Sequence, residues 1–200
     1  PVDLQHAFVA IEDERFYEHN GIDPQGILRA AITGITSGGD FSQGASTLTQ
    51  QLIKNNVFPD FVNEETFYDR LERKIQEQFL ALDIEKQMSK DEIMEAYLNT
   101  INLGQNTLGV QSASKRYFNK DVAELTLSEC AVLASITQNP SLYNPITNPE
   151  DNARRRTEVL DRMLDQGYID QAAYDEAMAD DVYTRIQAVN AAIGEDSPYS

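Results

Sequence analysis

Residues 44–55 read Gly44-Ala45-Ser46-Thr47-Leu48-Thr49-Gln50-Gln51-Leu52-Ile53-Lys54-Asn55. Hydroxyls, amides, a lysine and an asparagine crowd this run with little apolar filler. A core helix has no use for so many hydrogen-bonding side chains, whereas a site that grips a sugar and a phosphate does. The spacing predicts a helix over 46–56 that starts near Ser46 or Thr47 and is broken by Pro59. On helical geometry Gln50 and Lys54 share one face, and Gln51 and Asn55 another. Lys54 offers a positive charge for a phosphate, and backbone N–H groups near Ser46 and Thr47 would add to it at a helix start.

Upstream lies a second cluster, Glu12-Asp13-Glu14-Arg15-Phe16-Tyr17-Glu18-His19-Asn20-Gly21, directly after the apolar Ala7-Phe8-Val9-Ala10-Ile11. A helix continuing through it would put Glu12, Phe16 and His19 on one face. A carboxylate at the edge of an apolar face suits general acid–base work; a solvated helix with ordinary surface acids is the plainer alternative. With Asn20-Gly21, His19 reads more readily as a helix C-cap than as a catalyst.

Downstream, Arg73-Lys74-Ile75-Gln76-Glu77 places Arg73 and Glu77 one helical turn apart. An exposed ion pair of that spacing contributes only about 0.2–0.5 kcal/mol. The functional reading is an anion clamp, in which Arg and Lys hold a phosphate and the glutamate orients them or a metal.

The rest of the chain reads as mainly α. An amphipathic helix spans Ile27 to Ile35 and ends at Ser37-Gly38-Gly39, with a loop expected from Phe41 to Gly44. Arg70 to Lys86 carries an apolar face of Leu71, Ile75, Phe79, Leu82 and Ile84. Ser89 and Glu92 form a capping box ahead of Ile93 to Leu98. Asn102 to Gly109 is loop-like, and helices follow at Ser112 to Phe118 and from Thr126 to about Ile136. Asn139 to Pro149 reads as an ordered loop. Asp151 to Gln166 and Ile169 to Ala179 are again helical, the first closed by Gly167. Val182 to Ile186 is the best strand candidate, and Gln187 to Ser200 reads as a linker.

The 200 residues suffice for one large domain or two small ones. A net charge of −17 disfavours nonspecific binding to nucleic acid. The charge is uneven, with eight acids against Arg185 alone from Asp165 onward, so a local anion site is compatible with the total. Cys130, the single cysteine, lies in an apolar run and is expected as a small core residue. No stretch has the length and apolarity of a membrane span. Metal-type Cys/His spacing, a Walker loop and a dinucleotide glycine fingerprint are all missing. With only His6 and His19, no Ser–His–Asp arrangement is convincing.

Five ordered blocks resemble a known family. They are Glu12 to Gly21 (similar to Glu-Asp-x-x-Phe-x-x-His-x-Gly), Gly44 to Asn55 (similar to Gly-x-Ser-Thr-x-x-Gln-Gln-x-x-Lys-Asn), Arg73 to Glu77, Lys90 to Asn99, and Arg155 to Leu160. The family is the peptidoglycan glycosyltransferase domain (glycosyltransferase family 51) of class A penicillin-binding proteins and monofunctional transglycosylases. The resemblance implies a lysozyme-like, two-lobed helical domain over residues 1–186. Residues 187–200 would be a linker, leading to a transpeptidase domain in two-domain members. It implies polymerisation of lipid II into β-1,4 glycan strands by inverting displacement of undecaprenyl pyrophosphate. The rivals are a lysozyme-like glycan hydrolase and an inactive lipid II-binding module.

On this resemblance Glu12 is the general base, and Glu77 is the second catalytic carboxylate, organising the cations or holding a metal. Lys54, Arg73 and Lys74 would neutralise the leaving pyrophosphate, with Arg70 a looser candidate. Ser46, Thr47, Gln50, Gln51 and Asn55 would position the donor's sugars and phosphate. Asp13, Phe16, His19 and Gly44 would support the site. No cofactor is obligatory; a divalent cation, Mg or Mn, at the pyrophosphate is the one option. Tyr97, Asn99, Arg155 and Arg156 read as scaffold. The implied partners are lipid II, nascent glycan, cell-wall synthesis proteins, a moenomycin-type inhibitor and the membrane surface, reached through Phe41, Val57, Phe58 and Phe61. Nucleic acid is not among them. The implied location is the extracytoplasmic face of a bacterial cell membrane.

Overall fold

In the computed structural model, which describes residues 1–37, 46–58 and 66–195, every regular element longer than a bridge is helical. The helices are α1 (Val2–Glu12), α2 (Pro24–Ser37), α3 (Leu48–Val57), α4 (Phe67–Gln87), α5 (Lys90–Thr100), α6 (Val110–Phe118), α7 (Leu127–Ile136), α8 (Pro149–Asp165), α9 (Gln171–Ala179) and α10 (Val182–Glu195). An antiparallel bridge joins Asn102 and Leu108. The mainly α expectation therefore holds, and the chain divides into two compact units, as the two-lobed reading anticipated. A central unit comprises Glu12–Thr100, and a terminal unit comprises Pro1–Ile11 with Ile101–Ser200.

The terminal unit is built around α7, whose residues 128–136 are all buried. Thr126 caps it: its side chain accepts the Glu129 amide while the Glu129 carboxylate accepts the Thr126 amide. Leu133, Ile136, Val159, Leu160 and Met163 are fully buried among α7 and α8. Each such side chain contributes about 1.5–3 kcal/mol relative to exposure. Cys130 belongs to this core, and burial pushes its thiol up to about 12, so it is an inert packing residue. Arg156 donates to the Ser128 hydroxyl at 2.8 Å and lies over the Tyr183 ring, in keeping with a scaffold role.

One expected element is different. Val182 to Ile186 is not a strand but the first turn and a half of α10. Val182 and Ile186 are both fully buried, and four residues is the helical repeat, which a period-two reading overlooks. The boundary expected at 186 falls inside this helix, which runs on to Glu195.

The central unit holds α2 to α5. Helix α3 opens on Thr47, whose side chain accepts the Gln50 amide while the Gln50 side chain accepts the Thr47 amide. Helix α4 has a matching box between Thr66 and Asp69, so it begins three residues earlier than expected. The Ser89–Glu92 box precedes α5 as expected. The orientation of α4 is a correction. Leu71, Ile75 and Phe79 are exposed, and the buried positions are Glu77 and Ala81. Arg73, Lys74 and Glu77 turn inward, where they find one another, while the first three residues of the expected apolar stripe are left outside and Leu82 and Ile84 are half-buried. On α2, Ile27, Leu28 and Ile32 are also exposed, as is Val57 at the end of α3; Phe58 is half-buried. Gly44, the 41–44 loop, Pro59 and Phe61 lie outside the described residues.

Candidate active site

Helix α1 stops at Glu12, and a turn follows in which the Phe16 amide donates to the Asp13 carbonyl. Glu12, Phe16 and His19 are therefore not one helical face, and His19 caps no helix. Instead Asp13 and His19 form a buried pair. His19 Nε2 lies 2.8 Å from Asp13 Oδ2, and the Gly21 amide donates to Nδ1 at 3.0 Å. Because Nδ1 accepts, the proton belongs on Nε2 and is donated to the carboxylate. The same Asp13 oxygen accepts the Leu48 amide at 2.9 Å. That amide is one of the otherwise unpaired donors in the first turn of α3, where a negative charge is favourable.

Asp13 thus ties the chain beside Glu12 to the start of α3. Thr47 adds a second tie by donating to the Gly21 carbonyl at 2.7 Å. Gly21 has φ +99°, and a Cβ there would come within 2.6 Å of the Ala81 carbonyl oxygen, so only glycine fits against α4. Phe16 is fully buried, with the Lys90 ammonium 4.5 Å from its ring centre. Lys90 also donates to Glu85, which accepts the Thr49 hydroxyl at 2.7 Å. Thr49, Glu85 and Lys90 escaped the sequence reading as site supports; their links run across distant segments.

With its start fixed, α3 directs Gln51 and Lys54 to the same place. Gln51 Nε2 donates to Glu12 Oε2 at 3.1 Å. The Gln51 carbonyl oxygen accepts from the Tyr97 hydroxyl at 3.2 Å. Gln50, expected to contact substrate, is buried and spent on the cap with Thr47. Thr47 is likewise buried. Asn55 is half-buried in the last turn of α3, and Arg70 is exposed in the first turn of α4.

The charged centre lies on α4. Glu77 is 0% exposed. One of its carboxylate oxygens accepts from Arg73 Nη1, and the other from Lys74 Nζ at 2.9 Å. Lys74 also donates to the Ser46 hydroxyl at 3.0 Å, joining the α4 cluster to the entrance of α3. This is no exposed intrahelix pair, so the weak surface value does not apply. Lys54 completes the group. Burial holds its ammonium below the usual lysine range; the charges of Lys74 and Arg73 push the same way, against Glu77 and Glu12. Lys54, Arg73 and Lys74 thus gather around Glu77, with Glu12 in the same field, in a chain of net charge −17.

A metal at Glu77 does not fit this donor set. Both carboxylate oxygens already accept from cations, and a further positive ion would meet three of them. No group of three or more His, Cys, Asp or Glu with metal-site geometry occurs among the described residues. The site suits a partly dehydrated polyanion, with an ionisable carboxylate, Glu12, held nearby.

A family model described as Transglycosylase matches residues 1–164. The chain is similar to penicillin-binding protein 1A of Clostridium botulinum strain Langeland, 47% identical over 188 residues that cover 90% of this chain and 22% of that protein. Against penicillin-binding protein 1A of Escherichia coli K12 the identity is 48% over 191 residues, covering 96% and 21%. Penicillin-binding protein 1F of Bacillus subtilis is 46% identical over 169 residues, covering 84% and 22%. The chain spans about a fifth of the length of these relatives.

Proposed function

Because the chain belongs to the transglycosylase family, we propose that it is a peptidoglycan glycosyltransferase that polymerises lipid II into β-1,4 glycan. The observation that carries this reading is the pairing, within one compact unit, of Glu12 on Gln51 with the Lys54–Arg73–Lys74–Glu77 cluster. Glu12 takes the proton from the acceptor's 4-hydroxyl. That oxygen forms a bond to the anomeric carbon of the donor, the growing glycan on its lipid. The bond from that carbon to the phosphate oxygen breaks, and its electron pair leaves with undecaprenyl pyrophosphate. One displacement turns an α-linked donor into a β-linked product, with no covalent enzyme intermediate.

A pyrophosphate leaving group needs charge neutralisation rather than a proton. Lys54, Arg73 and Lys74 supply it, and Glu77 keeps Arg73 and Lys74 aimed while the site is empty of anion. Ser46 steers Lys74. Asn55 and Arg70 contact the donor at the margin. Any divalent cation in the reaction travels with the pyrophosphate rather than on Glu77.

No helix among the described residues is long and apolar enough to cross a membrane. The exposed Ile27, Leu28, Ile32, Phe67, Tyr68, Leu71, Ile75 and Phe79 support contact with a membrane surface; with a lipid-linked substrate, the proposed location is the outer face of a bacterial cell membrane. Cell-wall synthesis proteins and a moenomycin-type inhibitor belong to the same reading.

The test is purified protein with detergent-dispersed lipid II, with and without divalent cation. Polymer is expected, and Glu12→Gln should lose it by about 100-fold or more while retaining inhibitor binding. Consumption of preformed glycan alone would replace this reading with a hydrolase. Binding of lipid II without turnover would replace it with an inactive module.

A further inference from the structure

Tyr97 lies on α5, is 1% exposed, and belongs to no part of the reaction described above. We propose that Tyr97 is a positioning residue for the transfer: its hydroxyl donates to the Gln51 carbonyl oxygen and so commits the other end of that amide, Nε2, to Glu12. This rests on the reading of Glu12 as the base. A primary amide has nearly the same shape either way round, and only its partners decide which end points where.

While Glu12 is ionised, its own charge favours the N–H end of Gln51. Once Glu12 has taken the acceptor's proton, that preference disappears, because a neutral carboxyl can meet either end of an amide. A flipped Gln51 would then present its oxygen to Glu12 and oppose return to the carboxylate. The Tyr97 hydroxyl holds the amide through that part of the cycle. Its proton is secure: burial raises the phenol well above its ordinary value, and the negative charges of Glu12 and Asp13 add to the effect. Tyr97 therefore keeps its proton, and remains a donor, at and below the ordinary titration range of a tyrosine.

The experiment compares Tyr97→Phe, Gln51→Met and the double variant in lipid II polymerisation across a pH series. Tyr97→Phe should lower kcat about tenfold with KM within about twofold. The acid limb of its pH–rate profile should move to higher pH, because the carboxylate loses a fixed donor. Gln51→Met should move the limb the same way. The double variant should be no slower than Gln51→Met alone, since both substitutions break one relay.

A Tyr97 that served packing alone would leave the limb in place and give additive losses, and either result overturns the proposal. If Tyr97→Phe unfolds, Gln51→Met still decides, because an unmoved limb in that variant ends the relay. Glu12→Gln separates the two claims. Continued polymerisation by that variant removes the base reading itself. Its inactivity, with unchanged profiles in the other variants, removes only the role of Tyr97.

Discussion

Among the described residues each unit contains a buried glutamate held by two cations, yet a cation beside the one is shifted in the opposite sense from a cation beside the other. In the terminal unit Glu129 is 1% exposed and accepts from Lys120 at 2.9 Å and from Arg185 at 3.3 Å, while also capping α7. Arg185 is further paired with Asp180, so two cations meet two carboxylates. That hydrogen bond to Asp180, reinforced by Glu129, raises the Arg185 guanidinium above its ordinary value. In the central unit Glu77 meets Arg73 and Lys74, and Lys54 stands in the same field with its ammonium depressed. The first environment strengthens the charged form of Arg185, whereas burial beside Lys74 and Arg73 weakens that of Lys54. On the proposed function it is the second that receives an anion, and the depressed ammonium of Lys54 beside a buried ion pair is what distinguishes the two clusters.

The sharpest way to break this comparison is to remove the two glutamates in parallel. Glu77→Gln should lower polymerisation about 100–1,000-fold and also destabilise the fold by about 3–5 kcal/mol, because Arg73 and Lys74 lose their buried partner. Glu129→Gln should cost about 3 kcal/mol in denaturant unfolding, with the turnover of the folded fraction unchanged within about twofold. If Glu129→Gln damages turnover as much as Glu77→Gln does, the distinction between the clusters collapses.

Lys54→Met sharpens the contrast in the other direction. It should lower turnover about 100-fold yet raise the thermal midpoint by about 2–4 °C, the equivalent of roughly 1 kcal/mol in a domain of this size. The sign follows from proton binding. A lysine depressed in the folded state costs stability wherever it is charged, and the cost is relieved as pH rises through its folded value. The stability advantage of Lys54→Met should therefore be full at neutral pH and shrink in alkali. A lower midpoint at neutral pH would show that the favourable contacts of Lys54 outweigh the cost of burying its charge.

The smallest effect belongs to Asp180. The hydrogen bond from Arg185 holds its carboxyl below the usual range, against desolvation. Its contribution is present above the ordinary carboxylate value and lost as pH falls through the lowered one. Asp180→Asn should cost about 0.5–1 kcal/mol at neutral pH, since the pair is partly exposed, and nothing in strong acid. Thermal melts at both pH values check it.

How much of this could be read beforehand depends on distance along the chain. The Arg73–Glu77 spacing and the box between Thr47 and Gln50 are local patterns, and a Thr followed three residues on by Gln could have told Gln50 from Gln51. The burial of Glu77 was hidden by the Leu71, Ile75 and Phe79 stripe, which argues for the opposite face. Its partner Lys74 is also held by Ser46, 28 residues from that lysine, a link that no local pattern shows. The Asp13–His19 pair requires the turn after Glu12, and no helical template contains that turn. The Tyr97 hydroxyl finds Gln51 across 46 residues, which periodicity cannot reveal. The family's blocks brought those residues into one list, but their division into caps, ties and reacting groups emerges only from the hydrogen bonds.

The most direct test of the anion-receiving cluster is calorimetric titration with detergent-dispersed undecaprenyl pyrophosphate, in two buffers of different ionisation enthalpy at mildly alkaline pH. An arriving polyanion should return Lys54 toward its ordinary lysine value, so binding should take up protons. In Lys54→Met the uptake should vanish and the affinity fall about tenfold or more. Equal affinity and equal proton uptake in that variant, or no binding by the wild-type protein, would contradict the account.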